Sequence, residues 1–171
     1  MKLNVILIGF MGSGKSTIGK KLADELGMEF VDMDELIQST LNMSIKQIFQ
    51  EQGEHAFREH ERLLSKELRK KSNLVIATGG GVILEPQNME FLSENGMIIY
   101  LKSDFKTIID RIEHSASRPL YEMDNTENFR NLFRFREPLY QKYADYVIQV
   151  SNNHISSIVK KIKQKIKKNA K

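Results

Sequence analysis

The 171-residue chain contains no cysteine. That excludes disulfides, thiolate chemistry and cysteine-ligated zinc. Its four histidines, His55, His60, His114 and His154, show no metal-ligand spacing and read as surface residues. No apolar run approaches the roughly 20 residues that span a bilayer. Met1-Lys2-Leu3-Asn4-Val5 runs straight into a strand pattern, with no apolar stretch followed by a small-residue cleavage site. No signal peptide is therefore expected, and the expected location is the cytoplasm. Internal repeats, low-complexity linkers and a composition break are also missing, so one domain is expected over residues 1–171. Apolar residues make up 40% and charged residues 28%, a balance that supports a buried core without staples. The eight methionines read as core filler.

A basic surface is missing as well, despite the net charge of +4. Seven lysines between Lys160 and Lys171 exceed that excess, so residues 1–159 carry a net charge of −3. A nucleic-acid footprint would need a basic face on the folded body. The lysines read instead as the solvated end of a last helix, where cations suit the negative pole. Neither a nucleic-acid nor a membrane partner is expected, and the chain is expected to be a monomer.

What is present is an alternation of short apolar runs and longer amphipathic ones. Leu3–Ile8, Phe30-Val31, Leu74–Ala77, Met97–Leu101 and Tyr146–Val150 read as five strands, the first, third and fourth fully apolar apart from Asn4. Helical spacing follows strand one, with Ile18, Leu22 and Leu26 before a stop at Gly27. Further helices are expected at Asp34–Thr40, from a Ser44/Gln47 capping box to a break at Gly53, at Glu54–Lys71, Pro86–Asn95, 104–113, 129–143 with an interruption at Pro138, and 155–168. Strands separated by helices make a parallel sheet covered on both faces. The polar stretch 114–128 contains Pro119 and reads as a mobile connection.

Gly9-Phe10-Met11-Gly12-Ser13-Gly14-Lys15-Ser16 matches the phosphate-loop pattern G-x-x-x-x-G-K-[ST]. Such a match arises by chance in on the order of 1% of chains this long. It follows an apolar strand and opens an amphipathic helix, which is the context the chemistry needs. Glycines let successive N–H groups surround phosphate oxygens, and the helix points its positive end at them. Gly12, Ser13, Gly14, Lys15, Ser16 and Thr17 are the expected ATP-binding residues. Lys15 should reach the β- and γ-phosphates, and Ser16 should ligate Mg²⁺.

Ligands of open parallel sheets sit at the carboxyl ends of the strands. Strand three, where many phosphate-loop enzymes carry a magnesium-site Asp, ends here in Thr78-Gly79-Gly80-Gly81. Asp32, at the end of strand two, is then the expected metal carboxylate. Asp34 could meet an acceptor hydroxyl, and either aspartate could also cap the next helix. Three glycines let a ligand approach bare backbone. Phosphoryl transfer also needs cations, often delivered by a lid. Sequence chemistry alone does not choose among Arg58, Arg111, Arg118, Arg130, Arg134 and Arg136, although Arg118-Pro119 in the polar stretch is the best lid candidate.

In order along the chain, Gly9–Thr17, Asp32-x-Asp34, Phe57-Arg58-Glu59, Gly79-Gly80-Gly81, Arg118-Pro119-Leu120, Arg136-x-Pro138-Leu139-Tyr140 and Ala144-Asp145 resemble the shikimate kinase family. The resemblance spans Val5 to about Val150. It implies an α/β phosphate-loop three-layer sandwich, a five-stranded parallel sheet of order 2-3-1-4-5, a substrate-binding helical region at about 34–62 and a lid at about 114–128. It implies transfer of the ATP γ-phosphate to the 3-hydroxyl of shikimate with one Mg²⁺ per subunit. Lys15, Asp34 and Arg118 would then be catalytic, with Asp34 orienting or deprotonating the hydroxyl. Arg58 and Arg136 would hold the carboxylate, and Gly80 and Gly81 would lie against the substrate. Arg111 would lie near the adenine, Arg118 would reach the phosphates, and Ser16 and Asp32 would serve the metal. Two segments depart from the family pattern. Residues 122–127 lack an Asp-Pro pair, and Ser151-Asn152-Asn153-His154 lacks the usual Arg and Pro. These bear on nucleotide affinity and lid kinetics rather than on the reaction. A gluconate or nucleoside monophosphate kinase of the same fold is the alternative enzyme. A nucleotide sensor or nucleic-acid binder using the lysine tail is the alternative from another class, but it leaves Asp32-x-Asp34 and the glycines without a role.

Overall fold

The computed structural model describes residues 3–114 and 126–169. Strand β1 (Asn4–Ile8) leads through the glycine loop into helix α1 (Lys15–Leu26). Then follow β2 (Glu29–Asp32), α2 (Met33–Leu41), α3 (Ile45–Leu68), β3 (Leu74–Ala77), a short 3-10 turn (Val82–Leu84) and α4 (Pro86–Ser93). The chain continues through β4 (Gly96–Lys102), α5 (Phe105–Glu113), α6 (Thr126–Tyr143), β5 (Tyr146–Gln149) and α7 (Ile155–Asn169). All pairings are parallel, and the sheet order is β2-β3-β1-β4-β5, as the resemblance implied.

Alternation along the strands builds the layers. Val5 and Leu7 of β1, with Met97, Ile99 and Leu101 of β4, pack against Ile18 and Leu22 of α1 and Ile158, Val159 and Ile162 of α7. Ile6 and Ile8, with Ile98 and Tyr100, face the opposite layer from α3 to α6. Asn4, the polar break in strand one, is buried and satisfied: its amide donates to the Lys71 carbonyl (2.9 Å), and its oxygen accepts from Leu74 N–H (3.0 Å). A third, smaller cluster of Ile37, Ile48 and Phe57 locks α2 onto α3. Three methionines, Met33, Met89 and Met97, are buried core residues.

The capping box forms as expected, with Ser44 Oγ accepting from Gln47 N–H. Gly53 breaks the helical geometry with φ 84° and ψ 166°, yet the chain bends there without a loop and α3 resumes at once. Pro138 does not interrupt α6, contrary to expectation. The carbonyl that Pro138 leaves unpartnered belongs to Arg134, and both residues are exposed, so water serves that group. Phe129, Arg136 and Tyr140 hold the helix to the body on either side. Residues 115–125 of the expected lid, Arg118 among them, lie outside the described residues.

Candidate active site

The phosphate loop is held from beneath by apolar packing and from within by its own lysine. Phe10 is buried edge-on against Phe129 and Phe133, at centroid distances of 5.1 and 5.3 Å. Gly12 and Gly14 take φ values of 81° and 92°, a left-handed backbone that glycine adopts without strain. Lys15 Nζ donates to the carbonyls of Gly9 (2.7 Å) and Phe10 (3.1 Å). Its ammonium thus sits inside the curve of the loop at the positive end of α1, where an anion is favoured. Arg111 of α5 donates to the Gly12 carbonyl at 3.1 Å, so it braces the same loop. Ser13 is fully buried, whereas Thr17 stands exposed on the first turn of α1.

The side chains of Ser16 and Asp32, expected to serve the metal, meet each other. Ser16 Oγ donates to Asp32 Oδ2 at 2.5 Å. The other Asp32 oxygen accepts from the N–H groups of Asp34 (3.0 Å) and Glu35 (3.2 Å), capping α2. Asp32 therefore caps the helix with one oxygen and offers the other at the site. Thr78, at the end of β3, donates its hydroxyl to the Leu7 carbonyl at 3.1 Å and is committed to the sheet. A hydroxyl beside a carboxylate is a hard oxygen set that fits Mg²⁺, which usually takes one or two protein ligands plus phosphate and water. Ser16 and Asp32 are the residues that would hold it.

The glycines after β3 make room for charged side chains from three helices. A methyl group at Gly79 would lie 2.7 Å from both Asp34 Oδ1 and Glu61 Oε1. One at Gly81 would overlap the Arg58 guanidinium. One at Gly80 would sit 3.5 Å from Met11 N, and 3.7 Å from both Arg136 Nη1 and Tyr140 Oη. The triple glycine is thus the seam where phosphate loop, acidic pair and arginines meet.

Arg58 is gripped from both sides on α3. Its Nη1 donates to Glu61, and its Nε and Nη2 donate to Glu54 Oε1 at 3.2 and 2.9 Å. Burial opposes its charge, but the two carboxylates outweigh burial and raise its pKa. Glu61 is fully buried. Burial pushes its carboxyl up to about 7, Arg58 pulls it down, and Asp34 pushes it up again. Arg136 is 6% exposed, and its Nε has no hydrogen-bond partner among the described residues. No carboxylate among the described residues lies within ion-pair distance of it. Burial therefore lowers its pKa. An arginine kept in the interior without a counterion is costly unless an anion arrives to meet it.

Of the residues singled out in the sequence, Lys15, Ser16, Asp32, Asp34, Arg58, Gly80, Gly81 and Arg136 lie at the carboxyl ends of β1, β2 and β3 or on the helices facing them. Arg118 lies outside the described residues. Sequence reasoning missed Glu54 and Glu61. Their spacing of four before and three after Arg58 was legible as helical ion pairing, but nothing in it signalled that Glu61 would be buried.

A family model for shikimate kinase matches residues 11–167. A shikimate kinase of Francisella tularensis subsp. holarctica is 40% identical over 161 residues, covering 93% of this chain and 92% of the relative. One from Caldanaerobacter subterraneus subsp. tengcongensis is 41% identical over 160 residues, covering 93% of each. Among solved structures, shikimate kinase from Acinetobacter baumannii in complex with shikimate aligns with a TM-score of 0.92 at 37% identity, over 99% of this chain and 95% of that one. Shikimate kinase from Bacteroides thetaiotaomicron aligns with a TM-score of 0.89 at 30% identity, over 98% and 99%. By motif, by geometry and by likeness along nearly its whole length, the chain belongs to the shikimate kinase family.

Proposed function

We propose that this chain transfers the γ-phosphate of ATP to the 3-hydroxyl of shikimate, giving shikimate 3-phosphate for aromatic amino-acid biosynthesis. The observation that carries the reading is Arg136, a buried guanidinium beside Gly80 without a counterion among the described residues, with Arg58 against Gly81. Two arginines facing one stretch of bare backbone suit a carboxylate, which accepts forked N–H donors. A hydroxyl-bearing carboxylic acid explains this wall better than a nucleotide acceptor does.

Gly12–Thr17 and Lys15 cradle the phosphates, and Arg111 supports that loop on the nucleotide side. Arg58 and Arg136 anchor the acceptor carboxylate, so the far end of the molecule carries its hydroxyl toward Asp34 beside Gly79. The hydroxyl oxygen forms a bond to the γ-phosphorus as the bond from phosphorus to the β,γ-bridging oxygen breaks. The hydroxyl proton passes to Asp34, and ADP keeps the bridging oxygen. Positioning and charge neutralisation supply most of the acceleration in such transfers. Mg²⁺, when bound, neutralises charge on the β- and γ-phosphates; Ser16 and Asp32 would hold one ion per subunit. Arg118, from the lid expected at about 114–128, completes the cationic set. The reading also expects a cytoplasmic monomer whose partners are ATP and shikimate, with the α7 lysines facing solvent or, as Lys163 does with Glu25 at 2.9 Å, pairing within the chain rather than binding nucleic acid or membrane.

The test is ADP release from Mg·ATP with shikimate, gluconate, a nucleoside monophosphate or no acceptor. Turnover with shikimate alone is expected. Turnover with another acceptor, or only background hydrolysis, would leave the phosphate loop standing and overturn the roles of Asp34, Arg58 and Arg136.

A further inference from the structure

Tyr140 lies outside the roles assigned above, yet it touches the centre of the acceptor wall. Its ring is 1% exposed and stacks on Tyr100 at 5.1 Å with an interplanar angle of 22°. Its hydroxyl donates to the Gly80 carbonyl. Burial pushes the phenol pKa upward, so the group stays a donor throughout the working pH range. Tyr140 is four residues beyond Arg136 on α6, which places both side chains on one face. Both reach the same spot: a methyl group at Gly80 would be 3.7 Å from each.

A peptide unit is planar and trans, so its C=O and the following N–H point in opposite directions. Fixing the Gly80 carbonyl therefore fixes the direction of the Gly81 N–H. Neither the Gly80 nor the Gly81 N–H has an acceptor among the described residues. A turn hydrogen bond from Val82 N–H to the Gly79 carbonyl (3.3 Å) closes this segment. The central peptide of such a turn can still flip between the type I and type II arrangements while that bond stays, and glycines have no side chain to choose between them. We propose that Tyr140 is a positioning residue for the acceptor: its hydroxyl locks the Gly80–Gly81 peptide plane in register with Arg136. One helix thereby sets both the carboxylate-binding guanidinium and the backbone donor beside it. Arg58, packed against Gly81, closes the other side.

The inference rests on the acceptor-site reading above, and the two fail differently. Tyr140→Phe keeps the ring and its stacking and removes one hydroxyl. Tyr100→Phe removes a hydroxyl from the same stacked pair without touching Gly80. In wild-type protein that phosphorylates shikimate, Tyr140→Phe is expected to raise KM for shikimate about fivefold to tenfold, the worth of one lost hydrogen bond. KM for ATP and kcat should stay within about twofold, and Tyr100→Phe should leave all three unchanged. The Gly81 amide resonance in ¹⁵N-labelled wild-type protein should shift on addition of shikimate, and in Tyr140→Phe it should start from a displaced position and shift less. Equal changes in both KM values, or a lowered Tm with neither KM changed, would reduce Tyr140 to a packing residue and overturn the proposal. A Gly81 resonance indifferent to shikimate would do the same even if Tyr140→Phe failed to fold. Absence of shikimate turnover in the wild type would instead overturn the acceptor reading itself.

Discussion

The two halves of this site satisfy their charges in opposite ways. On the donor side, the phosphate loop holds its cation with its own backbone, although Ser13 Oγ is buried without a hydrogen-bond partner among the described residues. Lys15 is held by two carbonyls of the loop, Arg111 braces a third, and Phe10 is wedged between aromatic rings. On the acceptor side, charges are buried faster than they are matched: Glu61 is pushed toward neutrality, and Arg136 has no counterion among the described residues. The donor-side cations are matched by backbone carbonyls within the fold. The acceptor side holds charges that the described residues around them do not match, as expected where a fold departs from local self-consistency in order to bind.

The largest effects would test that contrast directly. Lys15→Ala should lower kcat by about 10²–10³-fold or more. It should also destabilise the protein by roughly 1–3 kcal/mol, because the Gly9 and Phe10 carbonyls lose their donor. Arg136→Met should act on stability with the opposite sign. KM for shikimate should rise about 10–100-fold, the loss of a charge-assisted bond pair. Stability should rise by roughly 1 kcal/mol, because an uncompensated buried charge is gone. Denaturant titrations beside steady-state kinetics measure both. A destabilised Arg136→Met would show that the guanidinium is already satisfied without substrate, and the contrast would collapse.

How much of this was legible in the sequence follows the same division. The donor side is made of backbone and of neighbours in sequence, so Gly9–Ser16 between a strand and a helix announced it. Ser16 was marked by the same motif, and Asp32 by elimination, because strand three ends in Thr78 and glycines where a carboxylate would otherwise stand. The acceptor side draws on α2, α3, the β3 end and α6, which are scores of residues apart. Without the family resemblance, Arg58 and Arg136 were indistinguishable from surface arginines. Burial of Glu61 is a property of how α3 packs beneath Gly79, and no local pattern encodes it. Pro138 misled because the rule against proline within helices assumes a carbonyl without access to water, and Arg134 is exposed.

Glu61 sharpens the comparison through pH. Its folded value of about 7 lies above the ordinary 4.5. Below the lower value, both folded and unfolded chains hold the proton. Between the two, the unfolded chain ionises while the folded one keeps the proton, so stability falls as pH rises, and it levels off above about 7. The groups facing Glu61 are Arg58 on α3, Asp34 on α2 and Arg136 on α6. Urea titrations at pH 5 and pH 8 should show the wild type losing on the order of 3 kcal/mol more across this window than Glu61→Gln does. Parallel pH profiles for the two proteins would mean that Arg58 already compensates the buried carboxylate fully.

The smallest effect concerns Glu54, the other carboxylate on Arg58. Both Arg58 contacts fall on one oxygen of a side chain that is 60% exposed. Exposed ion pairs of this kind contribute about 0.2–1 kcal/mol. Glu54→Gln should therefore change Tm little and move KM for shikimate by less than about fivefold. Glu61 grips the opposite edge of the guanidinium from a fully buried position, where removing one partner of a pair matters far more. Glu61→Ala beside Glu54→Ala separates the two grips. A much larger rise in shikimate KM for Glu61→Ala places control of Arg58 in the interior. Equal rises would mean that Arg58 is oriented from its solvent side, and the acceptor wall would then be held by exposed contacts rather than by its buried charges.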